Sequence, residues 1–222
     1  MSNVELKAVA TSGLMPSPLV RHPANPILTA RDVPYHATLL FNAGVCKYEG
    51  KYLMVFRNDY GRWGDTTFDG TNLGLATSDD GIAWTVAAQP VIDLAAAKKL
   101  AQPHMPHRDA NHEIFRFYDP RLTVIDGKLH MCFAVDTRHG VIGGLGVFHS
   151  LDRFEVLSLS TPDNRNMVLF PEKIGGRCMI SPTKAGSAAS IAARSGRTSE
   201  VAITVPSASS ESVSAPQWMV KR

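Results

Sequence analysis

The sequence predicts an all-β fold made of β-propeller blades, and two observations support this prediction. Two segments share one hairpin pattern, 41–58 (FNAGVCKYEGKYLMVFRN) and 119–136 (DPRLTVIDGKLHMCFAVD). Each segment is followed by a glycine-bounded run and then by a short fourth run, which gives four strands per unit. Four antiparallel strands that repeat along a chain are typical of propeller blades. A β-sandwich is the alternative that this pattern leaves open.

Each repeated unit is bounded by turn residues. An acidic residue followed by glycine lies at the centre of both hairpins, at Gly50 and at Gly127, and glycine supplies the positive φ of a tight turn. The third and fourth runs of the first unit are 72–78 and 82–86, and those of the second are 143–149 and 154–157. We therefore expect 36–160 to form two four-stranded antiparallel blades.

Two further segments complete the predicted folded part, which we place at 1–177. The insertion at 93–112 contains LAAAKKLAQ, which predicts a short helix, and PHMPHRDANH, which is typical of a surface loop. A third copy of the hairpin begins at 167–173 (MVLFPEK) and turns at Gly175 and Gly176. With this third copy, the chain is predicted to hold an incomplete propeller of about two to three blades.

The composition changes after residue 177. Ser and Ala make up 18 of the residues in 178–222, so we expect a tail that is irregular or weakly packed. Five blades at the observed spacing need on the order of 300 residues, of which this chain covers about half. A natural fragment, a reading frame lost near Arg177 and a flexible extension all fit this pattern.

The overall composition narrows the class of partner. Of 222 residues, 44% are hydrophobic and 19% are charged, with a net charge of +3, so we expect a globular protein that does not bind nucleic acid. Neither a signal peptide nor a membrane span is predicted, and a cytoplasmic location is the default expectation. The three cysteines, Cys46, Cys132 and Cys178, are interpreted as free thiols, with no metal site and no cofactor expected. A homo-oligomer is left open.

Charged residues lie where the second run of each unit ends. Arg57, Asn58 and Asp59 close that run in the first unit, and Arg138 and His139 follow it in the second. We interpret the two arginines as equivalent, which would place both at one end of the blades. Guanidinium groups bind phosphate or carboxylate oxygens in bidentate geometry. The simpler alternative is that each arginine pairs with a neighbouring aspartate and only stiffens a loop.

Asp119 is the candidate general acid. We predict that it begins the first strand of the second unit, where Pro120 restricts the backbone. A carboxylate held at a fixed place in a polar cleft can donate a proton during catalysis. An Asp-Pro pair is more often only a turn, so the dipeptide by itself does not decide between these readings.

Several runs together resemble glycoside hydrolase family 130. The resemblance spans about residues 22–177 and includes HPANPILTARDVPY, FNAGVCKYEGKYLMVFRNDYG, DGTNLGLATSDDGIAW, YDPRLTVIDGKLHMCFAVDTRHG and LSLSTPDNRNMVLFPEKIGG. It implies a five-bladed propeller that cleaves β-1,4-mannosyl-glucose with inorganic phosphate, with inversion, to α-mannose 1-phosphate and glucose. The partners it implies are therefore a small mannoside and phosphate.

The resemblance also implies roles for individual residues. Asp119 would be the proton donor, acting through a hydroxyl of the bound mannose. Phosphate would be bound by Arg57, Arg138 and Lys173, and sugar hydroxyls by Asn58, Asp59 and His139. A β-mannoside hydrolase on the same fold, or an inactive sugar-binding fragment, are the alternatives, because the segments that would supply the remaining blades are absent after Gly176.

Overall fold

A computed structural model describes residues 20, 22–61, 68–105 and 107–181, and it is composed mostly of antiparallel β-strands. Residues 182–222, which make up most of the predicted tail, lie outside the described residues. Within the described ranges, no helix is long and apolar enough to cross a membrane. The strands are β1 Leu39–Tyr48, β2 Lys51–Tyr60, β3 Gly70–Ser78, β4 Thr85–Val86, β5 Ile114–Ile125, β6 Lys128–Thr137, β7 Gly140–Ser150, β8 Arg153–Pro162, β9 Val168–Leu169 and β10 Ile180–Ser181. The helices are α1 Leu94–Ala101 and α2 Ala110–Glu113, with single 3-10 turns at Ala30–Asp32 and Gln102–His104.

The strands form two four-stranded sheets in which each strand pairs with the next one along the chain. The orders are β1-β2-β3-β4 and β5-β6-β7-β8, and all pairings are antiparallel. The β1-β2 and β5-β6 turns place Glu49 and Asp126 at φ 49° and 50°, before Gly50 and Gly127 at 82° and 71°. Two successive residues with positive φ are typical of the tight turn that matches the twist of a hairpin. The all-β prediction and the two four-stranded units are confirmed, and closure into five blades stays a prediction.

A hydrophobic core joins blade 1 (β1–β4) to blade 2 (β5–β8). Side chains alternate between the faces of a strand, so residues two apart point to the same neighbour. Blade 1 contributes Leu53, Val55 and Leu73, and blade 2 contributes Phe117, Leu129, Met131, Phe133 and Val135. Helix α1, predicted from LAAAKKLAQ, buries Ala97 and Ala101 in this core. The insertion is therefore part of the packing between the blades.

The first strands of the two blades approach each other closely. A Cβ atom added at Gly44 of β1 would lie 2.9 Å from both the backbone nitrogen of Leu122 and the carbonyl oxygen of Pro120. Both atoms belong to the backbone of β5 and cannot move aside like the end of a flexible side chain. Glycine at this position allows the backbones of the two blades to meet.

The third hairpin covers the other face of blade 2. Strand β9 pairs with β10, and Leu169, Cys178 and Ile180 pack with Cys132 and other blade 2 residues in a second buried cluster. The predicted boundary after residue 177 therefore needs correction, because Cys178 to Ser181 continue the third hairpin. The physical reason is that Cys178 and Ile180 are apolar and buried, at 8% and 5% exposure. The prediction relied on the average composition of the tail, in which these two apolar residues do not stand out.

Strand pairing also corrects the predicted equivalence of the two arginines. In β1 and β2 Phe41 pairs with Arg57, whereas in β5 and β6 the equivalent Tyr118 pairs with Ala134. Arg57 thus corresponds to Ala134, and Arg138 follows the end of β6. The sequence interpretation was wrong here because it matched residues by their nearness to a strand end instead of by their distance from the turn.

Candidate active site between the two blades

Asp119 lies inside β5, not at its beginning as the sequence suggested. The register of β5 against β6 shifts between Tyr118 and Arg121, and the register of β1 shifts at the equivalent point, between Phe41 and Gly44. The bulges place Asp119 at φ 55° and Asn42 at φ 48°. Asparagine and aspartate tolerate this left-handed conformation better than most residues, and a bulge re-aims a side chain. Sequence reasoning did not select Asn42, although it occupies the position in the first repeat that Asp119 occupies in the second.

The Asp119 carboxylate is buried, and two donors hold one of its oxygens. The Nδ2 atom of Asn42 donates to Oδ1 at 2.9 Å, and the Nη1 atom of Arg57 donates to the same oxygen at 3.2 Å. The side chain of Asp119 is 6% exposed. Both of these donors come from blade 1, and they converge on the same oxygen. Oδ1 of Asp119 is therefore anchored to blade 1, which fixes the position of the carboxylate.

Arg57 is fixed on every side. Its Nε and Nη2 atoms donate to the two oxygens of Asp59 at 2.9 and 2.7 Å, and its guanidinium lies 4.5 Å from the Phe41 ring and 4.6 Å from the Tyr118 ring. Burial tends to lower the pKa of Arg57, but hydrogen bonds and charges from Asp59 and Asp119 outweigh it and raise that pKa above its usual range. Arg57 is therefore a buried cation whose charge is already paired with two carboxylates.

The predicted sugar-binding residues Asn58 and Asp59 are not accessible. Asp59 is 1% exposed, and it accepts a 2.7 Å hydrogen bond from the Thr71 hydroxyl in addition to those from Arg57. Asn58 is fully buried on the opposite face of the sheet, where its amide donates to the carbonyl of His36 at 2.9 Å and to Asn72 at 3.1 Å. The prediction missed this because it took three adjacent polar residues as one group, although a strand turns neighbours to opposite faces.

Tyr118 connects this site to Asp136. Its hydroxyl donates to Oδ1 of Asp136 at 2.6 Å, and burial, together with that hydrogen bond, raises the pKa of Tyr118 well above its usual range. The tyrosine therefore stays protonated and keeps its ring against Arg57. Its equivalence to Phe41 in the repeat was a signal that sequence reasoning did not use.

Arg138 and His139 lie in the turn after β6 and are exposed. Arg138 donates from Nη2 to the carbonyl of His112 at 3.3 Å and lies 5.8 Å from the ring of Phe115, which is 50% exposed. The Nε2 atom of His139 lies 3.1 Å from the carboxylate of Glu113. No contact joins either residue to Asp119 within the described residues, so a cleft shared by Arg138 and Asp119 stays a prediction.

Lys173 lies away from the site. It forms an ion pair with Asp126, which belongs to the turn between β5 and β6. Asp126 follows Asp119 by seven residues, which corresponds to about 23 Å at about 3.3 Å per residue of strand. The structure does not bring Lys173 to Asp119. In addition, no group of three or more potential metal-binding side chains occurs among the residues described.

Comparison with known proteins finds similarity to two mannoside phosphorylases and to a glycoside hydrolase. No protein-family model matches the sequence. The chain is 28% identical over 169 residues to the β-1,4-mannooligosaccharide phosphorylase of Ruminococcus albus, covering 72% of this chain and 44% of that protein. Its structure is similar to the β-1,2-mannobiose phosphorylase of Listeria innocua, with a TM-score of 0.56, 20% identity, and coverage of 75% of this chain and 59% of the other. It is also similar to a candidate glycoside hydrolase of Parabacteroides distasonis, with a TM-score of 0.50, 16% identity, and coverage of 72% and 50%.

The fold and the site define a β-rich chain with a buried carboxylate and arginine between two four-stranded sheets. The curated relative and the Listeria structure are both named as mannoside phosphorylases, which agrees with the resemblance to glycoside hydrolase family 130 suspected from the sequence. The chain spans less than half the length of the curated relative.

Proposed function

We propose that this chain carries the proton-donating part of a β-mannoside phosphorylase, with Asp119 as the general acid. The observation that supports this role is the geometry of its carboxylate, which is buried between the blades and has one oxygen held by both Asn42 and Arg57. A general acid needs a fixed position within reach of the proton acceptor. The similarity to a β-1,4-mannooligosaccharide phosphorylase indicates the class of substrate.

The proposed reaction exchanges one bond at the anomeric carbon for another. A phosphate oxygen attacks C1 of the mannosyl unit from the α face, while the bond from C1 to the glycosidic oxygen breaks on the β face. Asp119 supplies a proton, relayed by a mannose hydroxyl, to the departing oxygen. The products are α-mannose 1-phosphate and a sugar with a free hydroxyl, for which we propose glucose from β-1,4-mannosyl-glucose.

The arrangement of charges favours phosphate over water as the nucleophile. An inverting hydrolase needs a second carboxylate to activate water, whereas phosphate needs only to be positioned. Asp59, which is near Asp119, is buried and its two oxygens are held by Arg57 and Thr71, so it is not available to act as a base. Because Arg57 is also paired, we propose that Arg138 binds phosphate and that His139 contributes a hydrogen bond to the sugar or the phosphate.

The test is phosphate-dependent turnover. The chain is incubated with β-1,4-mannosyl-glucose, with β-1,4-mannobiose or with β-1,2-mannobiose, with and without inorganic phosphate, and α-mannose 1-phosphate is followed by phosphorus NMR. We expect product only when phosphate is present, and more from the β-1,4-linked substrates. Sugar release without phosphate indicates the hydrolase, and no turnover in either condition contradicts the proposal for this chain.

Two substitutions test the proposed roles. Asp119→Asn keeps the shape of the side chain but cannot donate the same proton, so we expect a loss of turnover of at least about a hundredfold with unchanged folding. Arg138→Ala is expected to raise the KM for phosphate with little change in the KM for the sugar. Arg153→Ala, at an exposed arginine of β8, is the matched control and is expected to change neither value.

A further inference from the structure

We infer that Thr71 and Asp59 are positioning residues that act on Asp119 through Arg57. The inference rests on the proposed function, since it explains how a carboxylate on blade 2 is held in place by blade 1. Neither Thr71 nor Asp59 contacts Asp119, and at 2% and 1% exposure neither can contact a sugar.

The three blade 1 residues form one continuous set of hydrogen bonds. The Thr71 hydroxyl donates to Oδ1 of Asp59 at 2.7 Å, and both oxygens of Asp59 accept from Arg57. Asp59 and Thr71 are directly paired across β2 and β3, and Arg57 lies two residues earlier on β2. Pairing and alternation therefore place all three on one face of blade 1, the face that meets blade 2.

This set restricts the motion of the guanidinium in every direction. The rings of Phe41 and Tyr118 lie near the guanidinium at similar distances and limit its tilt, while the two-point contact with Asp59 limits rotation within its plane. Asp59 can keep Arg57 in place only if the Asp59 carboxylate is itself fixed. The hydrogen bond from the Thr71 hydroxyl fixes that carboxylate. The remaining Nη1 atom then presents its hydrogen bond to Asp119 at a fixed place.

Substitutions at Thr71 test the inference. Thr71→Val keeps the volume and removes the hydroxyl, and it is expected to lower kcat about tenfold through misplacement of the acid, with the KM for phosphate unchanged. Thr71→Ser retains the hydroxyl and is expected to restore kcat to within about twofold of the wild type. Ser78→Ala is the matched control, because Ser78 is a buried hydroxyl at the opposite end of the same strand, 4% exposed, and bonded to Asp80.

A second measurement separates the inference from the proposed function. The carboxyl carbon of Asp119, labelled with carbon-13, is identified by NMR as the signal that disappears in Asp119→Asn. We expect this signal to shift in Thr71→Val and to stay in place in Thr71→Ser and Ser78→Ala. If the wild type shows no phosphate-dependent turnover, the proposed function fails, and the shift still decides the inference. An unchanged Asp119 signal in a folded Thr71→Val variant overturns it, as does a kcat equal to that of the wild type.

Discussion

At the scale of single residues, burial separates polar side chains that can meet a substrate from those that hold the blades together. Asp119 is held at one oxygen by Asn42 and Arg57, whereas Asn58 and Asp59 are enclosed by partners within blade 1 and its neighbouring loop. Of the three basic residues predicted to bind phosphate, Arg57 is buried and Lys173 lies at a distant turn, whereas Arg138 is exposed in the turn after β6.

Substitution of Asn58 tests its structural role. Asn58→Ala leaves the carbonyl of His36 and the side chain of Asn72 without their donor, so we expect unfolding to become easier by about 1–3 kcal/mol. Urea denaturation measures this change. Asn111→Ala, at an exposed asparagine, is expected to leave the midpoint unchanged, and an equal midpoint for both variants contradicts the structural role.

Cys132 is expected to make stability depend on alkaline pH. Burial raises the pKa of its thiol to about 12, from a value near 9 in the unfolded chain. The folded state thus binds this proton more tightly than the unfolded chain does. The contribution of the protonated thiol to the free energy of unfolding is fully present below about pH 9 and is lost as the pH rises toward 12. The free energy of unfolding should fall between about pH 9 and pH 12, and by less in Cys132→Ala, as measured in urea. Equal slopes in the two proteins contradict this prediction.

At the scale of elements, the close approach of β1 and β5 depends on one glycine. Gly44→Ala places a methyl group against the backbone of β5, and we expect a loss of about 1–3 kcal/mol in unfolding free energy because the blades must separate. Chemical denaturation measures it. Val45→Ala, at the next residue, which is 48% exposed, is the control with little expected change. A Gly44→Ala variant as stable as the control means that the two strands can move apart freely.

At the scale of the whole molecule, blade 1 packs against one face of blade 2, and the third hairpin packs against the other face. Each face of blade 2 is covered by a neighbour, so its apolar residues alternate between two separate cores. A propeller grows by this repetition, because every added blade buries the open face of the one before it.

The third hairpin is expected to stabilise blade 2. Leu169→Ala removes a side chain that is 2% exposed, and we expect it to lower the unfolding free energy by about 2–5 kcal/mol. The control is Val168→Ala on the same strand, where the side chain is 49% exposed. Fluorescence of Trp84 in blade 1, measured with the other two tryptophans, Trp63 and Trp218, replaced by Phe, and far-ultraviolet circular dichroism should report the same midpoint if the units unfold together.

The sequence by itself determined the features that depend on short stretches of chain. The acidic residue and glycine of each hairpin specify the turns at Gly50 and Gly127, because a tight turn needs positive φ at these two positions. The helix in the insertion follows from the LAAAKKLAQ run, and the four strands per unit follow from short β-rich runs between turn residues. Asp119 was selected through the resemblance carried by the YDPR run and its neighbours.

Only the tertiary structure decided which of the polar residues share a site. It brought Asn42, Arg57 and Asp119 together from two blades, enclosed Asn58 and Asp59, and left Lys173 beside a distant turn. Nearness in sequence does not determine these relations, because adjacent residues of a strand face opposite ways and a bulge changes that alternation. The physical reason is that contacts across blades depend on the register of strands and on which face meets the next blade, and both are set by the packing of the whole core.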